Sequence, residues 1–398
     1  MREFIDGATA IARGALDAGC NFFAGYPISP ATPLLLHMVR ELPKVGGVAV
    51  QAEDEIASIS MCIGAAMTGA RTLTATSGPG ISLYSENIGL AIMGEVPLVI
   101  VDAQRLGPAT GGATTPGQGD VQFVRWSTSG GFPIIALAPG SVAECYSLTR
   151  RAFDLAERYR VPVFLMTDKE MFLSMSTVEI DDYEYPPVGD RPRAEALPHG
   201  TPGLRPEESS LPYRFDPIDA SPAFSPVGGP QIMRFTGSSH DEHGMLTKDP
   251  VKVGRLNEHL RRKIEDHINE IVLAKPDLQE AARTLLISYG ITARAMSEAA
   301  NIARHQGQAV STVTVQNLWP VPEDAITGAL CGPSCQGMIN RVVIAELNLG
   351  DFRREVERVI YRWAAQARRV APEIVGINRV DGELITPGQF LEHIIGDR

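Results

Sequence analysis

The chain has no run approaching about 18 consecutive apolar residues, so nothing in its 398 positions reads as a membrane-spanning helix. The first residues, Met1-Arg2-Glu3-Phe4-Ile5-Asp6, carry acids where a secretory leader needs an apolar stretch. Cysteine is scarce. The five that occur (Cys20, Cys62, Cys145, Cys331, Cys335) are odd in number and scattered, which excludes a disulfide framework and fits a reducing, cytoplasmic location. Cys331-Gly-Pro-Ser-Cys335 lacks the spacing of paired zinc or iron–sulfur ligands and reads as an ordinary loop, so no metal site is predicted on this chain. No Gly-x-Gly-x-x-Gly follows a strand and no P-loop lysine is present, which argues against a nicotinamide-binding dehydrogenase and against a nucleotide triphosphatase. Positive charge is also in deficit: the net charge of -11 disfavours nucleic acid and anionic membrane surfaces as partners.

What is present is ordinary globular composition, 44% hydrophobic and 21% charged, in a length that suits two or three domains. From residue 1 to about 180, short apolar runs (Phe22–Ala24, Val48–Gln51, Thr72–Thr76, Leu98–Val101, Ile134–Leu137, Val163–Met166) alternate with helical spacings such as Ile56, Ile59, Ile63, Met67. That rhythm predicts a βα repeat around a parallel sheet. Between 181 and 250 it breaks, and 12 of the 29 prolines fall there, as expected of an extended connector. An amphipathic helix is predicted over 252–274, and from Arg283 the βα rhythm resumes, with strands at Thr284–Ser288, Ala309–Val315 and Arg341–Glu346. The expected fold class is therefore α/β, with one domain at 1–180, a Pro-rich connector and helix at 181–275, and a second α/β domain at 276–398.

In parallel α/β sheets, ligands bind beyond the carboxyl ends of the strands, so the strand-to-helix turns are where chemistry is expected. Three are unusual. In Gly25-Tyr26-Pro27-Ile28-Ser29-Pro30, Ser29 is placed as a helix N-cap with Pro30 as first helical residue, or its hydroxyl and the free amides receive a carboxylate. Gln51-Ala52-Glu53-Asp54-Glu55 sets three acids at the mouth of a helix of small residues. Two of them read as dipole partners. Glu55 is followed by the small-residue run Ile56-Ala57-Ser58, and burial there would disfavour its charge and raise its pKa, as sharing a proton with a ring nitrogen requires. The third turn, Thr74-Ala75-Thr76-Ser77-Gly78-Pro79-Gly80, lacks a phosphate fingerprint, and its glycines suit close approach of backbone to a flat ring.

These three turns, in this order, resemble the α subunit of 2-oxoacid:ferredoxin oxidoreductases. Further stretches extend the likeness over nearly the whole chain except about 181–230: Val96 to Arg105, Gly107-Pro108-Ala109-Thr110-Gly111, Gln118-Gly119-Asp120, Gly237 to Gly244, Tyr289-Gly290, Leu318 to Pro322 and Glu346 to Gly350. The resemblance implies a thiamine diphosphate-binding pyrimidine domain followed by a transketolase C-terminal-like domain. It implies that Glu55 is the activating glutamate, hydrogen-bonded to the aminopyrimidine ring so that the exocyclic nitrogen takes the thiazolium C2 proton. Tyr26, Pro27, Ser77 and Gly78 would join Glu55 in holding the cofactor. Ser29 and Arg105 would bind the substrate carboxylate, the arginine by a bidentate fork. Gly107 to Gly119 would form a loop over the site, departing from common members at Gly112-Ala113-Thr114, which leaves 2-oxoglutarate, branched-chain and aryl 2-oxoacids open as substrates.

The absences then acquire meaning. Gly-Asp-Gly, which such enzymes use with a later Asn to bind magnesium and diphosphate, occurs nowhere. The resemblance therefore implies a β subunit carrying that magnesium site and an iron–sulfur cluster, separate γ and ferredoxin-like δ subunits, two α copies, coenzyme A as cosubstrate, and ferredoxin or a flavin-linked nicotinamide as acceptor. The alternative is a non-catalytic assembly subunit with a vestigial Glu55.

Overall fold

A computed structural model describes residues 2–179, 187–194, 211–229, 233–331 and 339–395. The elements in order are β1 (Arg2–Ile5), α1 (Gly7–Asp17), β2 (Phe22–Gly25), α2 (Thr32–Glu41), β3 (Val48–Gln51), α3 (Glu55–Met67), β4 (Thr72–Thr76), α4 (Pro79–Met93), β5 (Leu98–Gln104), α5 (Val121–Arg125), β6 (Ile135–Leu137), α6 (Val142–Tyr159), β7 (Pro162–Asp168), α7 (Lys169–Leu173) and β8 (Ser176–Glu179). There follow α8 (Pro250–Glu265), α9 (Ile268–Ile271), β9 (Ala274–Asp277), β10 (Thr284–Ser288), α10 (Thr292–His305), β11 (Val310–Val315), β12 (Asn317–Trp319), α11 (Glu323–Cys331), β13 (Arg341–Glu346), α12 (Asp351–Ala367), β14 (Glu373–Asn378) and α13 (Pro387–Ile395).

The first sheet has the order β12-β6-β7-β5-β4-β2-β3 and is parallel except at β12, which runs antiparallel to β6. Its central strands β4, β5 and β7 are buried at every position, as strands covered on both faces must be. Helices α1, α2 and α6 pack on one face and α3 and α4 on the other. The second sheet is β14-β13-β10-β11-β9, parallel except for β9 at its edge. Leu285, Ile287 and Val313 of this sheet share one apolar core with Ile81, Ile88 and Ile92 of α4. The two sheets therefore do not float apart on a hinge.

Two local expectations are corrected. The helix predicted over 252–274 runs from Pro250 to Glu265, capped at Asp266, and is followed by the single turn α9 and by β9, although Ile271 joins the same core as Ile264. The helix after Pro30 begins at Thr32 with Ala31 as cap and no side-chain bond, so Ser29 does not cap it. The Ile28 carbonyl instead takes both the amide and the hydroxyl of Thr32, closing the turn by backbone. The region joining the sheets is pinned rather than loose. The fully buried Arg160 donates to the carbonyls of Glu95 and Pro222, and buried Arg191 pairs with Glu157 and donates to the Ala66 carbonyl. Cys331 ends α11, and the rest of the loop predicted through Cys335 lies outside the described residues. No described helix is long and apolar enough to cross a membrane.

Candidate active site

Because β2, β3, β4 and β5 are parallel, their carboxyl ends open at one rim, and the three turns singled out above meet there. Asp54 caps α3, accepting from the Ala57 amide at 2.7 Å, so Glu55 is the first helical residue. Its side chain turns inward and is 6% exposed. A Cβ on Gly80 would stand 2.9 Å from Glu55 Oε1 and 1.9 Å from Thr76 Oγ1, so only glycine lets α4 start this close to the acid. Beneath Glu55 runs a buried hydroxyl chain. Ser58 Oγ donates to the Glu55 carbonyl at 2.9 Å and lies 3.1 Å from the Tyr84 hydroxyl, which is 2.8 Å from Thr74 Oγ1. Burial pushes the Tyr84 phenol up, so the chain is uncharged and holds the acid's helix rigidly without supplying it a counter-charge.

Gly78 sits at φ 39°, a conformation that disfavours any side chain, and Ser77 beside it is wholly buried. Arg105 leaves the end of β5, is 6% exposed, and donates from Nη1 to the Ser29 carbonyl at 2.5 Å. Tyr26, Pro27 and Ser29 are exposed at the rim. Thr76 Oγ1, Ser77 Oγ and Arg105 Nε are buried with no hydrogen-bond partner. So many polar atoms without partners at one strand-end rim suit a polar ligand, since in a finished core each would cost about 1–3 kcal/mol. The donor set fits the pyrimidine half of thiamine diphosphate: a buried acid, hydroxyls, and glycines that clear a flat approach. Among the described residues no cluster of His, Cys, Asp or Glu could hold a metal ion.

Between Arg105 and Asp120 the chain forms an irregular loop closed by Leu106 N to the Thr115 carbonyl (3.0 Å) and Gly112 N to the Leu106 carbonyl (2.8 Å). It faces the second sheet across a cavity of about 730 Å³ lined by Gly78, Arg105, Gly119, Asp120, Asn348 and Asp351, among others. Gln118 fastens loop to sheet. Its Nε2 donates to Asp168 Oδ2 at 3.1 Å, its Oε1 accepts from the Leu347 amide at 3.0 Å, and its carbonyl accepts from Asn348 Nδ2 at 2.7 Å. Gly290, at φ 58°, passes so close that a Cβ would lie 2.5 Å from Gln118 Nε2. The stretches Tyr289-Gly290 and Leu347 to Gly350, marked in the sequence only as likenesses, are thus the seat of this fastening.

Two family models match the chain. Residues 13–256 match the thiamine diphosphate-binding family of pyruvate flavodoxin/ferredoxin oxidoreductases, and residues 282–390 match core domain II of pyruvate:ferredoxin oxidoreductase. The chain is 37% identical over 394 residues to the 2-oxoglutarate synthase subunit KorA of Methanocaldococcus jannaschii, covering 99% of each. The chain is an α subunit of the 2-oxoacid:ferredoxin oxidoreductase family. This α subunit is also 33% identical to the ketoisovalerate oxidoreductase subunit VorB of Methanothermobacter thermautotrophicus, covering 98% of this chain and 97% of that one. Its fold superposes on 2-oxoglutarate:ferredoxin oxidoreductase from Magnetococcus marinus with TM-score 0.84 and 26% identity, covering 99% of this chain and 65% of that chain. A split-gene transketolase at 11% identity and TM-score 0.50 shares the fold alone.

The rim brings together Glu55, Ser77, Gly78, Arg105 and the Ser29 backbone. The Gly237 to Gly244 stretch is elsewhere. Phe235 and Gly237 pack on Gly94 and Leu90 at the far end of α4, and His240 packs at a tilt against Tyr213 in a separate cavity of about 280 Å³. Sequence reasoning missed Gly80, Gln118 as a fastener, and the buried carboxyls Asp102 and Asp120. The available signal was an acid inside the apolar run Leu98-Val99-Ile100-Val101-Asp102.

Proposed function

We propose that this α subunit supplies the activating acid, Glu55, and the carboxylate receptor, Arg105, to a thiamine diphosphate site completed by a partner subunit, and that the complex oxidatively decarboxylates a 2-oxoacid to an acyl-CoA. The observation that carries the reading is Glu55 itself: a buried acid at a helix start, held against Gly80 at the strand-end rim, where Thr76 Oγ1, Ser77 Oγ and Arg105 Nε lack partners. When bound, thiamine diphosphate supplies the electron sink for decarboxylation. Glu55 would hold a proton at Oε1 or Oε2 toward the pyrimidine ring, and Ser77, Gly78, Tyr26 and Pro27 would flank that ring. Arg105, with Nε free and Nη1 fixed on Ser29, would present its remaining N–H groups to the substrate carboxylate. The loop 106–119, fastened through Gln118, would keep bulk water from the reacting carbon.

In this reading residues 1–180 form the pyrimidine unit, 181–275 the connector, and 276–398 the transketolase-like unit that walls the cavity. The rim beside Glu55 continues into exposed apolar residues on α2, α3, α4 and the edge strand β3 (Leu36, Val39, Val48, Ile56, Met61, Leu83), a surface suited to a β subunit bearing the diphosphate and magnesium site. Electrons would leave through iron–sulfur clusters on β, γ or δ subunits to ferredoxin. Among oxoacids, 2-oxoglutarate is favoured, because whole-chain identities to 2-oxoglutarate synthase subunits run from 34 to 38% and those to ketoisovalerate relatives stand at 31 and 33%.

The test is Glu55→Gln in the complex assembled with its partner subunits, read as oxoacid-dependent reduction of a low-potential dye. Turnover should fall by at least about 100-fold, equivalent to the loss of a general acid–base group, with co-elution of the subunits unchanged. Wild-type turnover in this variant would refute the reading. A wild-type complex loaded with cofactor but inert toward 2-oxoglutarate, branched-chain and aryl 2-oxoacids alike would favour a non-catalytic assembly role.

A further inference from the structure

Two carboxyl groups meet at the cavity, Asp120 in its wall and Asp102 enclosed behind it. Asp102 lies within the wholly buried strand β5, paired in register with Thr76, and is itself fully enclosed; neither of its oxygens makes a hydrogen bond of good geometry. Asp120, at the end of the loop, brings a buried Oδ2 that also lacks one, while its backbone amide is held by Gln104 Oε1 at 3.2 Å. The Gly78 amide bonds toward both carboxyls, and Asp120 also feels the positive charge of Arg105 and the negative charge of Asp351 of α12. Two adjacent buried carboxylates repel each other and cannot both ionise at neutral pH. A single proton between them resolves the repulsion and gives each an otherwise missing partner.

We propose that Asp102 and Asp120 act as one proton-sharing pair in which neutral Asp102 donates to charged Asp120, and that Asp120 is the counter-charge that positions Arg105 for the substrate carboxylate. The division of charge follows from the surroundings. Burial, then the neighbouring Asp120, pushes Asp102 well above the usual carboxylate range. Burial also raises Asp120, but the hydrogen bond from Asp102 and the Arg105 guanidinium limit the rise to about 6. At neutral pH the pair thus carries one negative charge, on the member nearer Arg105. Below about pH 6 Asp120 takes up a proton from solvent, the charge is lost, and Arg105 keeps only its Ser29 contact. Both aspartates are positioning residues; neither touches the reacting atoms.

The inference rests on the proposed substrate role of Arg105, and its test separates the two. In the assembled complex, kcat and KM for the 2-oxoacid are measured from pH 5 to 8 for wild type, Asp120→Asn, Asp102→Leu and Asp102→Asn. The wild-type kcat/KM should fall on the acid side near pH 6, and Asp120→Asn should lose that inflection and raise KM by about tenfold with kcat changed little. Asp102→Leu, which strips the donor, should move the inflection to higher pH, and Asp102→Asn, which keeps a neutral donor, should recover kcat/KM to within about threefold. A profile for Asp120→Asn that overlays wild type overturns the proposal. So does a loss of more than about tenfold in Asp102→Asn, which decides the matter should Asp120→Asn fail to assemble. A wild-type complex without oxoacid turnover overturns the parent reading instead.

Discussion

Replacing Gln118 with alanine removes a side chain that joins the loop over the cavity to both sheets at once. The amide's orientation is fixed by its neighbours, since the Leu347 N–H must face an oxygen and the Asp168 carboxylate must face an N–H. In the variant the Leu347 amide is left buried without its acceptor, at about 1–3 kcal/mol. Asp168 loses one donor but keeps the Ile291 amide at 2.8 Å and the Met171 amide at 2.9 Å, so its share is the smaller, about 1 kcal/mol. Together the local cost is about 2–4 kcal/mol, not spread over the whole chain but placed on the loop and on the Leu347 turn. Hydrogen exchange is the fitting assay, because a chain of this size need not unfold in one step. Amides of Leu106, Gly112 and Thr115, bonded within the loop, should exchange at least about 30-fold faster, each 1.4 kcal/mol being worth tenfold. Exchange within about threefold of wild type would show that the loop stands without Gln118.

Gly80→Ala forces Thr76 and Glu55 apart by placing a methyl 1.9 Å from one and 2.9 Å from the other; dye reduction by the complex should drop at least about tenfold with far-ultraviolet circular dichroism unchanged, and full turnover would contradict the geometry. Lys263→Met strands the fully buried Glu95 carboxylate, which Lys263 Nζ meets at 2.7 Å and His259 Nε2 at 3.0 Å. Removing one member of such a pair should cost about 3–5 kcal/mol, seen as a fall of about 4–6 °C in the thermal midpoint, whereas an unchanged melt would mean the charge relaxes to solvent.

The buried parallel strands were legible because burial on both faces favours apolar runs: Thr72–Thr76, Thr284–Ser288 and Arg341–Glu346 are found at their predicted limits, as is the edge strand Val48–Gln51. The turns at their ends were legible for the same reason, since a Gly-rich or acidic break after such a run marks the point where a buried strand must surface. What stayed hidden depends on partners far away in sequence. β1 and β8 pair with each other as a separate two-stranded sheet from the two ends of the first α/β unit's sequence, and neither has a pattern of its own. Ser29-Pro30 carries every local mark of a helix start, yet a competing backbone contact from Ile28 delays it. Asp102 looks like an ordinary interruption of a strand until Asp120, Gly78 and Arg105 are brought around it by the fold.

One short strand has consequences out of proportion to its three residues. Asn317–Trp319 leaves the second sheet's half of the chain and closes the open side of β6 in the first, while Trp319 Nε1 donates to the Val121 carbonyl at the base of the cavity loop. A fragment ending before residue 317 would carry an uncovered, aggregation-prone margin, and the remainder would trail an unpaired ribbon. The gene for this α subunit is therefore poorly suited to being split or shuffled at the proline-rich stretch, however much its composition resembles a tether. Evolutionary fission or laboratory truncation would have to take that strand along with the first half.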